Sequence, residues 1–197
     1  METIGFIGLG NLGTAIAQNI QNAGYPMVVY DIREGATKPL LKEGSRLAGA
    51  PDEVASLSDV TFTSLPGPRE VEDVTLGLHG VVNGIKEGGI YVDLSTSRPS
   101  LIRRIGEIFE EKSVKVLDAP VLTSPATAAD RQVVVMPSGD REVYQKLRPL
   151  FDSFADTVVY QGPLGMGSTC KLVNNMITLA VRQVVAEGLT LGVKAGL

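Results

Sequence analysis

Short, continuously apolar runs alternate with stretches of helical period along most of this chain. The runs are Thr3–Ile7, Met27–Tyr30, Val60–Ser64, Ile90–Asp93, Lys115–Asp118, Val133–Pro137 and Thr157–Tyr160. Between them, Thr14–Ala23, Arg33–Glu43, Arg69–Thr75, Pro99–Lys112 and Arg141–Phe154 repeat their apolar residues at helical spacing. Strands without polar alternation are buried on both faces, and strands separated by helices pair in parallel. The pattern therefore predicts an α/β fold with a doubly wound, mainly parallel sheet. In such sheets ligands bind beyond the carboxyl ends of the strands. That rule directs attention to Gly8–Gly13, Asp31, Leu65-Pro66, Ser95-Thr96 and Ala119–Ser124.

The last segment differs in kind. Gly165 to Ala195 reads as one long helix without a proline, with Ser168 a candidate N-cap. Lys171, Asn175, Thr178 and Arg182 recur at i, i+4, i+7 and i+11 and so share one face. Nearly every other position is apolar or small, from Leu172 and Val173 through Val184 and Val185. A helix apolar around so much of its circumference needs cover on several sides. The expected organisation is a domain over residues 1–162 and a long helix over 163–197, leading to a covering partner outside the chain.

The first strand run breaks into Gly8-Leu9-Gly10-Asn11-Leu12-Gly13, a G-x-G-x-x-G spacing. Gly8 permits the sharp turn, Gly10 lets a pyrophosphate approach the backbone, and Gly13 lets the helix pack close to the sheet. The helix start then offers free N–H groups and a positive dipole end to the phosphates. A second strand ends in Asp31, about 20 residues on, where an acid would hydrogen-bond the adenosine ribose. This context predicts a dinucleotide site. Asp31 favours NAD, because a carboxylate pairs with a ribose hydroxyl and repels a 2′-phosphate. Arg33 close by leaves NADP open, since it could neutralise Asp31 or accept that phosphate.

Composition narrows the class. The chain has 197 residues, 44% hydrophobic and 20% charged, with net charge −4. No basic cluster marks a nucleic-acid footprint, and no apolar stretch reads as long enough to cross a bilayer. Opening on a strand, the chain carries no pattern of a secretory signal. Cys170 is the only cysteine, which excludes an intrachain disulfide and suits a reducing cytoplasm. It points about 100° from Lys171 on the helix and reads as a buried apolar thiol. The single His79 lies in a Gly-rich loop and reads as a surface residue. No spacing of His and acids suggests a metal. Asp93 and Asp118 end strands, where carboxylates usually cap turns.

Several ordered blocks resemble the β-hydroxyacid dehydrogenase family, the group of 3-hydroxyisobutyrate dehydrogenase and tartronate semialdehyde or glyoxylate reductases. They are Gly5-Phe6-Ile7-Gly8-Leu9-Gly10-x-x-Gly13 (with Leu12 where Met is usual), Leu65-Pro66, Asp93-Leu94-Ser95-Thr96-Ser97-Arg98-Pro99, Asp118-Ala119-Pro120-Val121, and Gly165-x-Gly167-x-x-x-Lys171-x-x-Asn174-Asn175. The resemblance spans the chain. It implies a Rossmann-like cofactor domain joined by the long helix to an all-helical domain, and assembly into dimers or tetramers. It implies Lys171 as the proton-transferring residue and Asn175 as its orienting amide. Leu65 and Pro66 would wall the cofactor, Thr96 would contact it near the nicotinamide, and Ser95, Asn174 and the loop Leu122-Thr123-Ser124 would hold the substrate. The implied activity is hydride transfer between NAD(P) and a small β-hydroxyacid or its semialdehyde.

One block departs from the family. Where members read Ser-Gly-Gly, a loop that grips a carboxylate, this chain has Leu122-Thr123-Ser124. Leu122 cannot donate a hydrogen bond, and the side chains narrow the approach that Gly allows. Two alternatives therefore stay open: reduction of an imine or another non-carboxylate carbonyl, and a non-catalytic nucleotide-binding assembly domain. Lys171 speaks against both, since relatives of either kind usually lack that lysine.

Overall fold

The apolar runs form a sheet whose strands are hidden on both faces. The computed structural model describes residues 2–197. Strands β1 (Ile4–Ile7), β2 (Met27–Tyr30), β3 (Arg46–Leu47), β4 (Val60–Thr63), β5 (Ile90–Asp93) and β6 (Lys115–Asp118) run parallel in the order β3-β2-β1-β4-β5-β6. That is the strand order of a Rossmann domain. β7 (Val121–Leu122), β8 (Val134–Val135) and β10 (Thr157–Val158) form a separate small sheet, while β9 (Ser138–Gly139) extends the main sheet antiparallel to β6. The register sets Ile4 beside both Met27 and Val60, and Asp93 beside Asp118. The last two strand tips therefore present adjacent carboxyl groups.

The helices are α1 (Asn11–Asn22), α2 (Lys38–Lys42), α3 (Pro51–Ser56), α4 (Pro68–Leu76), α5 (Val81–Gly84), α6 (Pro99–Glu110), α7 (Pro125–Ala128), α8 (Arg141–Asp152) and α9 (Met166–Lys194). Pro51, Pro68 and Pro99 open helices, where a missing N–H removes no helical bond. One face of the sheet packs Phe6, Phe62, Ile16, Ile20, Phe151 and Phe154 together, and the other packs Tyr91, Phe109, Val54, Val71 and Ile105. Phe62 stacks on Phe6 at 6.0 Å and meets Phe151 and Phe154 edge-on. Each such side chain contributes roughly 1.5–3 kcal/mol by leaving water. These two cores hold the strand tips in place.

Some expectations shift. The helix expected over Arg33–Glu43 is a 3-10 turn at Glu34–Thr37 followed by α2, because Pro39 lies near the helix start. The runs at Val133–Pro137 and Thr157–Tyr160 give β8 and β10 of the small sheet instead of strands of the main one. Two-residue strands such as β3 and β9 carry too few positions to show a period.

Helix α9 is 29 residues long and capped by Gly165 in the left-handed conformation, φ 89°. Ser168, expected at that cap, lies instead inside the first turn and is buried. Beyond it, Lys171, Asn174, Asn175 and Thr178 are half-buried, whereas Leu172, Val173, Met176 and Ile177 between them are exposed. The polar stripe thus turns toward the domain and the apolar face turns outward, the reverse of a helix packed by its apolar side. Met176, Val184 and Leu189 are 67%, 69% and 68% exposed. The expectation that no apolar stretch matches a bilayer is corrected here. With mean hydropathy 1.4 over an 18-residue window, α9 is long and apolar enough to cross one by length and composition. Charges are too sparse along the helix to lower that window.

Candidate active site

The turn after β1 is built by its glycines in three different ways. Gly8 has φ 93°, and a Cβ there would stand 2.3 Å from the Ser64 carbonyl oxygen. A Cβ on Gly13 would meet the Gly8 carbonyl oxygen at 2.0 Å, so only glycine lets α1 start this close to the strand. Gly10 faces open space, with nothing within 4 Å of where its Cβ would be. It caps α1 without any side-chain bond, and no acid sits in the first turn. The backbone N–H groups of that turn, at Asn11, Leu12 and Gly13, point out of the helix start. An uncrowded, acid-free helix start fits the pyrophosphate of a dinucleotide.

Asp31 closes this turn from the side. Its Oδ2 accepts the Leu9 N–H at 2.7 Å, and its Oδ1 accepts the Arg33 N–H at 2.8 Å and the Arg33 Nε at 3.1 Å. Arg33 also donates to the Leu9 carbonyl at 3.1 Å. Burial pushes the Asp31 carboxyl up, but the bonds from Arg33 and Leu9 outweigh it and hold the group below its ordinary value. Of the two uses open to Arg33, the structure shows neutralisation of Asp31.

The loops after β4 and β5 are tied together underneath. The Ser95 hydroxyl accepts the Leu65 N–H at 2.9 Å, and the Ser95 N–H donates to Asp93 at 3.1 Å. Thr63 donates to the same Asp93 oxygen at 2.8 Å, which leaves Tyr91 to donate to Thr63 and Thr75 to donate to Tyr91. Burial pushes Asp93 up against the bonds from Ser95 and Thr63. Burial also pushes the Tyr91 hydroxyl well up, with the Asp93 charge adding to it. Ser95, expected to touch substrate, is buried, so its hydroxyl is a loop tie and not an open contact. Leu65 and Thr96 are partly exposed and Pro66 is exposed at the tips above it.

Asp118, one strand over, holds the start of α9. Its Oδ1 accepts the Ser168 hydroxyl at 2.8 Å, and its Oδ2 accepts the Ser168 N–H at 2.6 Å and the Ser138 hydroxyl at 3.3 Å. Ser138 in turn accepts the Gly167 N–H at 2.9 Å. Burial pushes the Asp118 carboxyl up to about 6, against the Ser168 bonds and with the Asp93 charge adding. One turn along α9, the Lys171 amine donates to the Val121 carbonyl at 2.7 Å. Burial alone pushes Lys171 below its ordinary value, toward the range useful to a base.

The loop Leu122-Thr123-Ser124 turns its hydroxyls on itself. Thr123 Oγ1 donates to the Gln132 carbonyl at 2.8 Å, and Ser124 caps α7 by accepting the Thr127 N–H at 3.3 Å. Leu122 is partly exposed beside them, and Asn174 and Asn175 lie half-buried on the inner face of α9. Cys170 is partly exposed, more so than a buried thiol. His79 is exposed and contacts Asp52 at 3.3 Å. A cavity of about 630 Å³ opens at the other end of the sheet beside Tyr25, Asp59 and Lys146. Sequence reasoning missed Ser138 and the reach of Asp118 to Ser168, 50 residues away; pairing of β6 with β9 and docking of α9 bring them together.

The NAD-binding domain of 6-phosphogluconate dehydrogenase, as a family, matches residues 3–162. An uncharacterized oxidoreductase of Bacillus subtilis, YkwC, is 34% identical over 196 residues, covering 100% of this chain and 68% of its own length. Mouse mitochondrial 3-hydroxyisobutyrate dehydrogenase is 32% identical over 98% of this chain and 58% of its own. The chain belongs to the β-hydroxyacid dehydrogenase family. Among solved structures, 3-hydroxyisobutyrate dehydrogenase of Mycobacterium tuberculosis with L-serine superposes with TM-score 0.90 at 29% identity, covering all of this chain and 67% of that one. The chain spans from about a third to about two thirds of the length of the curated relatives it matches. As a β-hydroxyacid dehydrogenase family member it carries a Rossmann-like NAD(P)-binding domain. The open Gly10 turn is where its own residues fit the dinucleotide.

Proposed function

We propose that this chain forms the cofactor half of an NAD(P)-dependent oxidoreductase acting on a small β-hydroxyacid or its semialdehyde, with Lys171 as general acid and base. The observation that carries the reading is the inward polar stripe of α9, with the Lys171 amine half-buried against the segment that follows the β6 tip. A bound nicotinamide supplies or accepts the hydride. The protein must manage one proton: the Lys171 amine takes it from the substrate hydroxyl in oxidation and returns it to the carbonyl oxygen in reduction. Its lowered proton affinity, caused by burial, suits both directions. Asn175, one turn on, orients the substrate oxygen, and Asn174 lies beside it. Leu65 and Pro66 wall the ring, and Thr96 binds near it. NAD is the preferred nucleotide because Asp31 stands where the ribose binds, and Arg33 keeps NADP as the alternative.

The exposed face of α9 calls for a protein cover. We infer an all-helical domain of the same polypeptide, in an assembly of two or four copies. The inward polar stripe argues against lipid, because a spanning helix would not carry Lys171, Asn174 and Asn175 on the side that meets its own domain.

A second reading concerns the substrate. Because Thr123 and Ser124 direct their hydroxyls into their own turn, the loop offers less to a carboxylate than a glycine loop does, which favours a non-carboxylate carbonyl or imine. The test is turnover of the full-length protein with NAD or NADP across β-hydroxyacids, their semialdehydes and cyclic imines. Oxidation of β-hydroxyacids supports the leading reading, and turnover of imines alone supports the second. Nucleotide binding without turnover of any substrate overturns both and leaves a non-catalytic domain.

A further inference from the structure

The start of α9 and the strand exit beneath it are matched in spacing. Asp118 at the end of β6 and Val121 at the start of β7 are three residues apart, and each grips a residue of α9: Asp118 holds Ser168, and Val121 accepts from Lys171, again three residues apart. The lower rung is the stronger. Asp118 takes both the N–H and the hydroxyl of Ser168, and Ser138 bridges the same carboxylate to the Gly167 N–H. The fit at this rung is tight, since a Cβ on Gly167 would stand 2.4 Å from the Met136 carbonyl oxygen and 2.9 Å from that of Asp118. Gly167 and Ser168 in the first turn of α9 are buried, whereas from Leu179 onward nearly every residue is exposed. Within this chain the direction and register of α9 are therefore set at its first turn.

We propose that Asp118 is a positioning residue that acts through Lys171: by clamping Ser168 and Gly167 to the β6 tip, it fixes where the Lys171 amine stands over the cleft. This rests on the reading of Lys171 as the proton-transfer residue. The carboxylate is suited to the task because two charge-assisted bonds to one residue fix rotation as well as distance. A lysine displaced by about 1 Å can lose about a hundredfold in rate. The arrangement also gives a reason for a costly feature, a buried carboxyl next to a second one on Asp93. A neutral amide in its place accepts at one oxygen only and turns donors toward the Ser168 N–H and hydroxyl.

The experiment uses the full-length protein with the substrate that its activity identifies, comparing Asp118→Asn, Ser168→Ala, Lys171→Ala and the double variants with Lys171→Ala. For Asp118→Asn the expected result is a kcat lowered about tenfold to a hundredfold, with nucleotide affinity measured by NADH fluorescence within about twofold of the parent. The lysine limb of the pH–rate profile moves as well. Ser168→Ala, which keeps the backbone bond, gives a smaller change of the same kind and carries the test if Asp118→Asn does not fold. In the Lys171→Ala background neither variant lowers the residual rate further. If losses multiply with Lys171→Ala, or nucleotide affinity falls in step with kcat while the pH limb stays in place, Asp118 is only structural and the proposal fails. If Lys171→Ala itself keeps full turnover, the Lys171 reading fails instead.

Discussion

The glycine turn after β1 and helix α9 flank the same strand tips, yet they are completed in opposite ways. In the turn, everything that fixes the backbone lies within the domain: Gly8 against Ser64, Gly13 against Gly8, Asp31 on Leu9 with Arg33 over it. Along α9, only the first turn is completed within the domain, and the apolar face beyond it stands in the open. A dinucleotide half-site can be finished by one domain, because backbone N–H groups and a helix start do the binding. On the proposed reading, a proton-transfer site needs a group brought over from elsewhere, and Lys171 on a helix whose far side is exposed would supply it.

Four substitutions or conditions test this contrast. The largest effect belongs to Lys171→Ala, expected to lower turnover by about 10²–10⁴ while nucleotide affinity holds; steady-state rates beside fluorescence titration read both. Next come the glycines, which should separate folding from binding. Gly13→Ala drives a methyl against the Gly8 carbonyl and should cost about 1–3 kcal/mol of stability by overpacking. Gly10→Ala meets nothing within 4 Å and should leave the melting temperature in place while weakening nucleotide binding. Equal losses in both variants would undo the assignment of Gly10 to the phosphates.

The third concerns the paired carboxyls. Asp118 is raised from 3.8 to about 6, and Asp93 is also raised, so between pH 4 and pH 6 the folded state binds more protons than the unfolded one. Stability should therefore rise as pH falls through that window, by on the order of 1–3 kcal/mol, before Asp31 and Asp140, both lowered, are protonated at lower pH. Urea unfolding at pH 7 and pH 5 measures it, and Asp118→Asn should flatten the slope. A protein that loses stability from pH 7 to pH 5 would contradict the burial of these groups as charged at neutrality. The smallest effect is expected at Val184→Lys with Leu191→Lys. These exposed positions should change cofactor-domain stability by no more than about 0.5 kcal/mol. Sedimentation of the full-length protein should nevertheless show a smaller species.

Much of the turn was legible in the sequence, because its chemistry is local. Gly8, Gly10 and Gly13 lie within one short strand-to-helix turn, and Asp31 follows at a spacing set by one βαβ unit. The polar stripe on α9 was also legible by period, but its direction was not. Spacing places Lys171, Asn175 and Thr178 on one face without saying whether that face meets water or the domain. The Asp118–Ser138–Ser168 clamp was out of reach because the pairing of β6 with β9 and the docking of α9 on the β6 tip, not sequence distance, bring its members together. Ser95 was misjudged for a related reason: its position at a strand tip suggested a substrate contact, while its hydroxyl lies underneath, tying the Leu65 loop. The short strands β3, β7 and β9 have two residues each, too few for any pattern to show.

The most direct test of the account is a structure of the full-length protein with nucleotide and a substrate analogue bound. The account predicts the Lys171 amine within about 2.6–3.2 Å of the analogue's reacting oxygen, over the tips of β4, β5 and β6. An analogue seated in that cleft with its oxygen held by another group, and Lys171 still directed only at Val121, would contradict it.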